Sequence, residues 1–282
     1  MPSRLQQFSR GALTFDVTDA GPLDGRAVIL LHGFPEDRHC WDTVAGALTG
    51  QGYRVLAPDQ RGYSPAARPR GRRAYAIGEL TADVMALADA AGTEHFDVVG
   101  HDWGGGVAWD VAARHPDRVR TLTVLSTPHP RAFLASMRSS TQLLHSWYML
   151  FFQIPRVPEM AFASGGGKRM KRSLTRSGLD AATADRYTAR FADPDAMTGP
   201  VNWYRGLPFG SREPTPPVRV PTLYVWSDHD GFLTRRSAEL TARFVEGPYR
   251  FEVLEGETHW LPTSAGEKVS ELLLQHLAAH DS

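Results

Sequence analysis

The segment Val99-Gly100-His101-Asp102-Trp103-Gly104-Gly105 joins an apolar run to a stretch with helical spacing and fills the pattern Gly-x-nucleophile-x-Gly. In such a strand-turn-helix elbow the central side chain stands in a tight, strained turn at a helix N-terminus, and the flanking glycines let neighbouring backbone come close. The central residue here is Asp102, so the attacking group would be a carboxylate. Attack of a carboxylate on an ester would give a reactive anhydride. Attack on a saturated carbon that bears a leaving group, or is held in a strained ring, gives a stable alkyl ester. The residue type therefore points to an electrophilic carbon. Taken alone, Asp102 could also be an ordinary helix N-cap, a role that Asp often fills.

Companion segments add weight to the chemical reading. His32-Gly33-Phe34-Pro35 follows the first long apolar run, where a second oxyanion N–H is needed, so the backbone amides of Phe34 and Trp103 are the expected oxyanion donors. Trp226-Ser-Asp228-His-Asp230 ends one apolar run and Gly256-Glu-Thr-His259-Trp260 follows the next, giving the chain order nucleophile, acid, histidine. Asp228 competes with Asp230 for the acid, and either could cap a helix starting near Thr234; Asp230 is preferred. Of the 11 histidines, His259 is the one just after the last strand, while His101, His129 and His229 near other strand ends read as supporting residues. With no His-Glu-x-x-His and no paired Cys/His set, neither a metal nor a cofactor is expected.

Positioning these residues requires a sheet. Ala27–Leu31, Tyr53–Ala57, Phe96–Gly100, Leu122–Leu125, Leu223–Trp226 and Phe251–Leu254 are short, nearly continuous apolar runs, as strands buried on both faces are. Helical spacing falls between them, at Cys40–Leu48, Leu80–Ala91, Gly105–Ala113 and Ser237–Val245, with a last helix from about Gly266 to Leu277. The alternation predicts a mostly parallel, twisted sheet with crossover helices. It stops between Pro130 and Pro217, where aromatic residues, helical patches, prolines and Ser164-Gly-Gly-Gly167 mix. The expected organisation is a core of residues 1–130 and 218–282 with an inserted helical cap at 131–217.

Composition bounds the partners. The 31 basic and 31 acidic residues balance, so nucleic acid is not expected. The basic runs at 68–73 and 168–172 read as solvated surface, and Gly165-Gly-Gly-Lys168 lacks the spacing and the hydroxyl residue of a phosphate loop. A lone cysteine, Cys40, cannot form an internal disulfide; with no leader pattern and no apolar run long enough to cross a bilayer, the expectation is a cytoplasmic protein with no membrane partner.

The motifs together resemble the α/β-hydrolase superfamily, and within it the epoxide hydrolase group. The resemblance runs through His32-Gly-Phe-Pro-Glu36, Asp59-Gln-Arg-Gly-Tyr-Ser64, Gly100–Gly105, Thr127-Pro-His-Pro130, Asp230 and His259, in order along nearly the whole chain. It implies an α/β-hydrolase fold and a small apolar epoxide as substrate, with the protein a monomer or homodimer. It also implies that Tyr148 in Ser146–Gln153 and Tyr204 in Asn202–Arg205 are paired ring-opening tyrosines, and that Pro35, Trp147 and Trp203 line the substrate pocket. The alternatives are hydrolytic dehalogenation using the same Asp102 with a Trp103 indole donor, disfavoured by Phe34 where many dehalogenases resemble one another in having Asn and, for the fluoroacetate type, by Trp103 where those enzymes usually carry Arg, and a noncatalytic binding protein using the same pocket.

Overall fold

The apolar runs become the strands of one eight-stranded sheet in a computed structural model that describes residues 3–191, 194–210 and 213–281. The strands are β1 (Gln7–Arg10), β2 (Leu13–Ala20), β3 (Ala27–Leu31), β4 (Arg54–Pro58), β5 (Phe96–His101), β6 (Val119–Leu125), β7 (Thr222–Ser227) and β8 (Tyr249–Leu254). Their order is β1-β2-β4-β3-β5-β6-β7-β8; β1 and β2 run antiparallel to their neighbours and the others are parallel. Every residue of β3, β4, β5 and β7 is buried, which is why their sequences are predominantly apolar, with Arg54 and Asp97 the charged exceptions. The first two strands were not foreseen. β2 alternates half-exposed and buried positions, with Phe15 and Val17 turned inward, so it shows no continuous apolar run to notice.

The helices of the core are α1 (Asp42–Gly50), α2 (Ile77–Ala90) and α3 (Trp103–Arg114). Between β6 and β7 lie α4 (Pro130–Ser139), α5 (Gln142–His145), α6 (Trp147–Phe151), α7 (Val157–Ala163), α8 (Lys168–Arg176), α9 (Ala181–Arg190) and α10 (Pro194–Gly206). The chain returns with α11 (Arg235–Leu240), α12 (Leu261–Ser264) and α13 (Gly266–Ala278). Strand pleating sends alternate side chains to two cores: Val28 and Leu30 of β3 pack with α1 and α13, and Ile29 and Leu31 pack with α2 and α3. The loops leaving the carboxyl ends of β3, β5, β7 and β8 converge beyond the sheet, as open α/β sheets place their sites.

The inserted helices are tied together by Arg205. Its guanidinium pairs with Glu159 (Nη1–Oε1 2.6 Å, Nη2–Oε2 3.1 Å) and donates to the carbonyls of Phe152 and Ile154, so α10 is clamped to α7 and to the turn that follows α6. Both ends of the insertion are fastened at His129, whose Nδ1 accepts the Arg131 N–H at the start of α4 and whose Nε2 meets the carbonyl of Pro216 at 3.1 Å.

Candidate active site

β5 ends at His101 and α3 begins at Trp103, which leaves Asp102 alone to turn the chain, at φ 49° and ψ −119°. This region is costly for a residue with a Cβ, and such strain persists only where the surroundings enforce it. Here Asp102 O accepts from the Thr127 hydroxyl at 2.6 Å and from the Gly106 N–H at 3.1 Å. A Cβ at Gly104 would collide with the Leu31 carbonyl, so glycine lets α3 settle onto β3. The sharp turn lifts the Asp102 carboxylate out of the sheet, where its Oδ1 accepts the Phe34 N–H at 2.8 Å. Gly33 makes that approach feasible, since a Cβ there would stand 2.5 Å from Asp102 Cβ. Of the two expected amide donors, that of Phe34 bonds the carboxylate; that of Trp103 belongs to the next residue, the first of α3.

His259 is held just beyond β8. Its Nδ1 lies 2.8 Å from Asp230 Oδ2, and its Nε2 lies 3.6 Å from Asp102 Oδ2. A carboxylate only accepts, so Nδ1 carries a proton and Nε2 faces Asp102. Asp230 Oδ1 accepts the N–H groups of Phe232 and Leu233 at 2.8 and 3.0 Å, which fixes the acid after β7. Asp228, the competing carboxylate, instead accepts the Gly256 N–H at 2.7 Å in an exposed loop.

The charges are coupled. Burial opposes ionisation of Asp102, but His259, His101 and the Phe34 N–H outweigh it and hold the carboxyl below its ordinary value. Burial likewise opposes a charged His259, yet Asp230 and Asp102 overcome it and push the imidazole up to about 10. The imidazole of His259, in a row between Asp102 and Asp230, is thereby favoured in its charged form.

Tyr148 of α6 and Tyr204 of α10 meet above this row with ring centroids 5.9 Å apart, edge to face. Burial raises both phenols above their ordinary value and the charge of Asp102 raises them further, so both stay protonated donors. Tyr204 is wedged between Phe152 (4.6 Å) and Trp103 (4.9 Å), and Tyr148 packs edge-on to Phe232 at 5.8 Å. Asp102, His259 and both tyrosines line one cavity of about 610 Å³ whose other walls include Phe34, Pro35, Phe151, Phe152, Phe162, Phe232 and Trp260.

Trp147 lines the mouth of this cavity and is 66% exposed. Trp203, expected as a pocket residue, is not among the described lining residues. It is fully buried, donates its indole N–H to the Arg61 carbonyl at 2.7 Å and packs against Tyr63 and Trp103. The alternation of a helix accounts for the difference: only one of two consecutive residues on α10 can face the cavity, and Tyr204 does.

Sequence reasoning missed the work of Glu36. This buried carboxylate accepts the Gly33 N–H at 2.8 Å and lies 2.7 Å from His101 Nδ1, while His101 Nε2 faces the His259 carbonyl at 2.9 Å. A carbonyl only accepts, so His101 donates there, and Ser126 Oγ donates to the same oxygen at 3.1 Å. Glu36 thus links the loop that carries the Phe34 amide to the loop that carries His259. Its signal was an acidic residue directly after the His32-Gly-Phe-Pro turn that follows β3.

Residues 26–263 match the family model for the alpha/beta hydrolase fold, and the chain belongs to that family. Within it the relatives place the chain in the epoxide hydrolase group. It is 34% identical to human epoxide hydrolase 4 over 93% of this chain and 75% of that protein, and 32% identical to epoxide hydrolase A of Mycobacterium tuberculosis (strain ATCC 25618 / H37Rv) over 93% of each. It is also 34% identical to the AB hydrolase superfamily protein YfhM of Bacillus subtilis (strain 168), over 97% of this chain and 98% of that one. Among solved structures, epoxide hydrolase A from Mycobacterium thermoresistibile superimposes with a TM-score of 0.83 at 28% identity, covering 99% of this chain and 98% of that one.

Proposed function

We propose that this enzyme opens an epoxide to a vicinal diol through an ester on Asp102. The observation that carries the reading is the row Asp102–His259–Asp230 facing two protonated phenols across one apolar cavity. The hydroxyls of Tyr148 and Tyr204 hydrogen-bond to the ring oxygen. Asp102 Oδ2 attacks a ring carbon, the carbon–oxygen bond breaks, and a phenol gives its proton to the developing alkoxide. Oδ1 stays on the Phe34 amide, so Oδ2 is the oxygen free to attack.

Ester formation removes the charge of Asp102, one of the two that raise His259. The imidazole then releases its proton more readily and returns it to the phenolate, which leaves a neutral base at the step where one is needed. Neutral His259, oriented by Asp230, takes a proton from water as that water adds to the ester carbonyl. The amides of Phe34 and Trp103 hold the oxyanion, its collapse breaks the ester bond and restores the Asp102 carboxylate, the second water proton goes to the departing diol oxygen, and the proton taken by His259 restores the imidazolium. The inserted helices act as a cap: they bring the phenols to the nucleophile and roof the cavity with aromatic rings.

Incubation with styrene oxide and, separately, with 1-chlorobutane tests the reading. Diol from the first without chloride from the second supports it, provided that Asp102→Ala forms no diol. Chloride release alone would assign the site to dehalogenation, and neither product would leave a binding protein.

A further inference from the structure

The residues 130–179 hold eight Lys and Arg but a single acidic side chain, Glu159, in a chain that is neutral overall. That carboxylate is buried on Arg205 and offers no negative charge to the surface. Arg138, Arg156, Lys168, Arg169, Arg172 and Arg176 are exposed, and none of them has a carboxylate partner among the described residues. The same region carries large apolar side chains turned to solvent: Leu143 at 59%, Leu144 at 72%, Trp147 at 66% and Leu150 at 73% exposed. Their spacing puts them along one ridge of α5 and α6, and α6 buries none of its residues. Isolated exposed leucines are ordinary, but a contiguous ridge of this kind marks an interaction surface.

Cations and ridge flank one opening. Leu144 and Trp147 line the cavity mouth from one side, and Ser173 and Arg176 of α8 line it from the other. Arg169, Arg172 and Arg176 follow at helical intervals along α8, whose other side buries Met170 and Leu174. A second copy of the chain docked symmetrically here would set these unpaired cations against themselves. A surface that offers both an apolar interior and a negative exterior meets the ridge and the cations together.

We propose that this face of the enzyme lies on an anionic lipid surface, with Leu143, Leu144, Trp147 and Leu150 inserted among the acyl chains and the arginines at the headgroups. No helix among the described residues is long and apolar enough to cross a membrane. The absence of a spanning run, which set the expectation of no membrane partner, bears on crossing a bilayer and not on resting upon one. Docked this way, the cavity mouth opens into the lipid, and an apolar epoxide dissolved there reaches Asp102 without passing through water. That last consequence rests on the epoxide reading; the docking itself rests on the surface alone.

Sedimentation of the full chain with vesicles tests the proposal. Vesicles in which about a third of the lipid is phosphatidylglycerol should bind the protein at least about tenfold better than phosphatidylcholine alone, because each basic residue near such a surface strengthens binding about fivefold. Salt at about 0.5 M should weaken the binding. The double variant Arg169→Glu/Arg172→Glu and the double variant Leu143→Ser/Leu150→Ser should each lose at least about tenfold. None of these four residues lines the cavity, so both variants should hydrolyse a water-soluble epoxide at the wild-type rate in vesicle-free buffer, which shows that they fold. Equal binding to both vesicle types, or unchanged binding by the charge-reversed variant, overturns the proposal. So does a wild-type dimer, sized by light scattering, that the leucine double variant dissociates. Loss of diol formation by every protein, wild type included, would overturn the epoxide reading and leave the vesicle result standing.

Discussion

At the level of residues, one carboxylate, two phenols and one imidazole divide the chemistry of the proposed reaction. Tyr204→Phe keeps the ring between Phe152 and Trp103 and deletes only the hydroxyl. Single-turnover alkylation of Asp102 should slow roughly ten- to a thousandfold, since one donor to a developing oxyanion is worth up to about 4 kcal/mol. Tyr148→Phe should behave similarly and the double variant should lose more, because in each single variant the remaining phenol partly substitutes. Wild-type alkylation in both single variants would move the assignment to haloalkanes, whose leaving group needs no proton. For His259→Gln, alkylation should continue and hydrolysis should stall, so intact-protein mass spectrometry should show the ester accumulating. The same variant reads the charge of His259 in the resting enzyme. A folded-state value raised from 6.5 to about 10 stabilises the fold below 6.5 and loses that contribution as pH rises through 10. The gap in unfolding free energy between wild type and His259→Gln should therefore narrow from pH 6.5 to 10, and a constant gap would show that the imidazole is not charged at rest.

At the level of elements, the parallel strands were legible because burial on both faces demands unbroken apolar runs: β3 matches its expected Ala27–Leu31 span, and β5 extends the expected run by one residue to His101. The placing of Asp102, Asp230 and His259 in one site was legible for a related reason, as each follows a strand that the runs reveal. β1 and β2 were hidden, since half-exposed strands alternate rather than cluster. The inserted helices were legible only as a region. Their packing depends on Arg205 reaching Glu159 across 46 residues, and no local periodicity reports such a contact. That pair should be costly to break: Arg205→Met leaves Glu159 buried without its cation, and equilibrium denaturation should show a loss of about 3–5 kcal/mol. Replacing both partners with apolar residues should recover much of it. A loss under about 1 kcal/mol for Arg205→Met would mean that the clamp does not hold the insertion.

For the whole molecule, the cavity joins a sheet edge to an inserted layer of helices, and its shape is a property of neither alone. This is why Tyr148 and Tyr204 entered by resemblance rather than by spacing, and why Trp203 was misplaced by one helical position. Largely aromatic walls around about 610 Å³ favour apolar substrates. Along the series from 1,2-epoxybutane to 1,2-epoxyoctane, kcat/KM should rise up to about fourfold per methylene, the equivalent of about 0.8 kcal/mol for each buried CH₂; a flat series would show that the chain does not enter the cavity. The central claim is that the oxygen added to the substrate first comes from Asp102 and that water repairs the enzyme. It is tested by a single turnover in ¹⁸O-labelled water with enzyme in excess over epoxide. The account predicts an unlabelled diol and ¹⁸O in Asp102, found by mass spectrometry in the tryptic peptide that runs from Ala74 to Arg114. Label in the diol of that first turnover, with Asp102 unlabelled, would show that water attacks the epoxide directly and would contradict the ester.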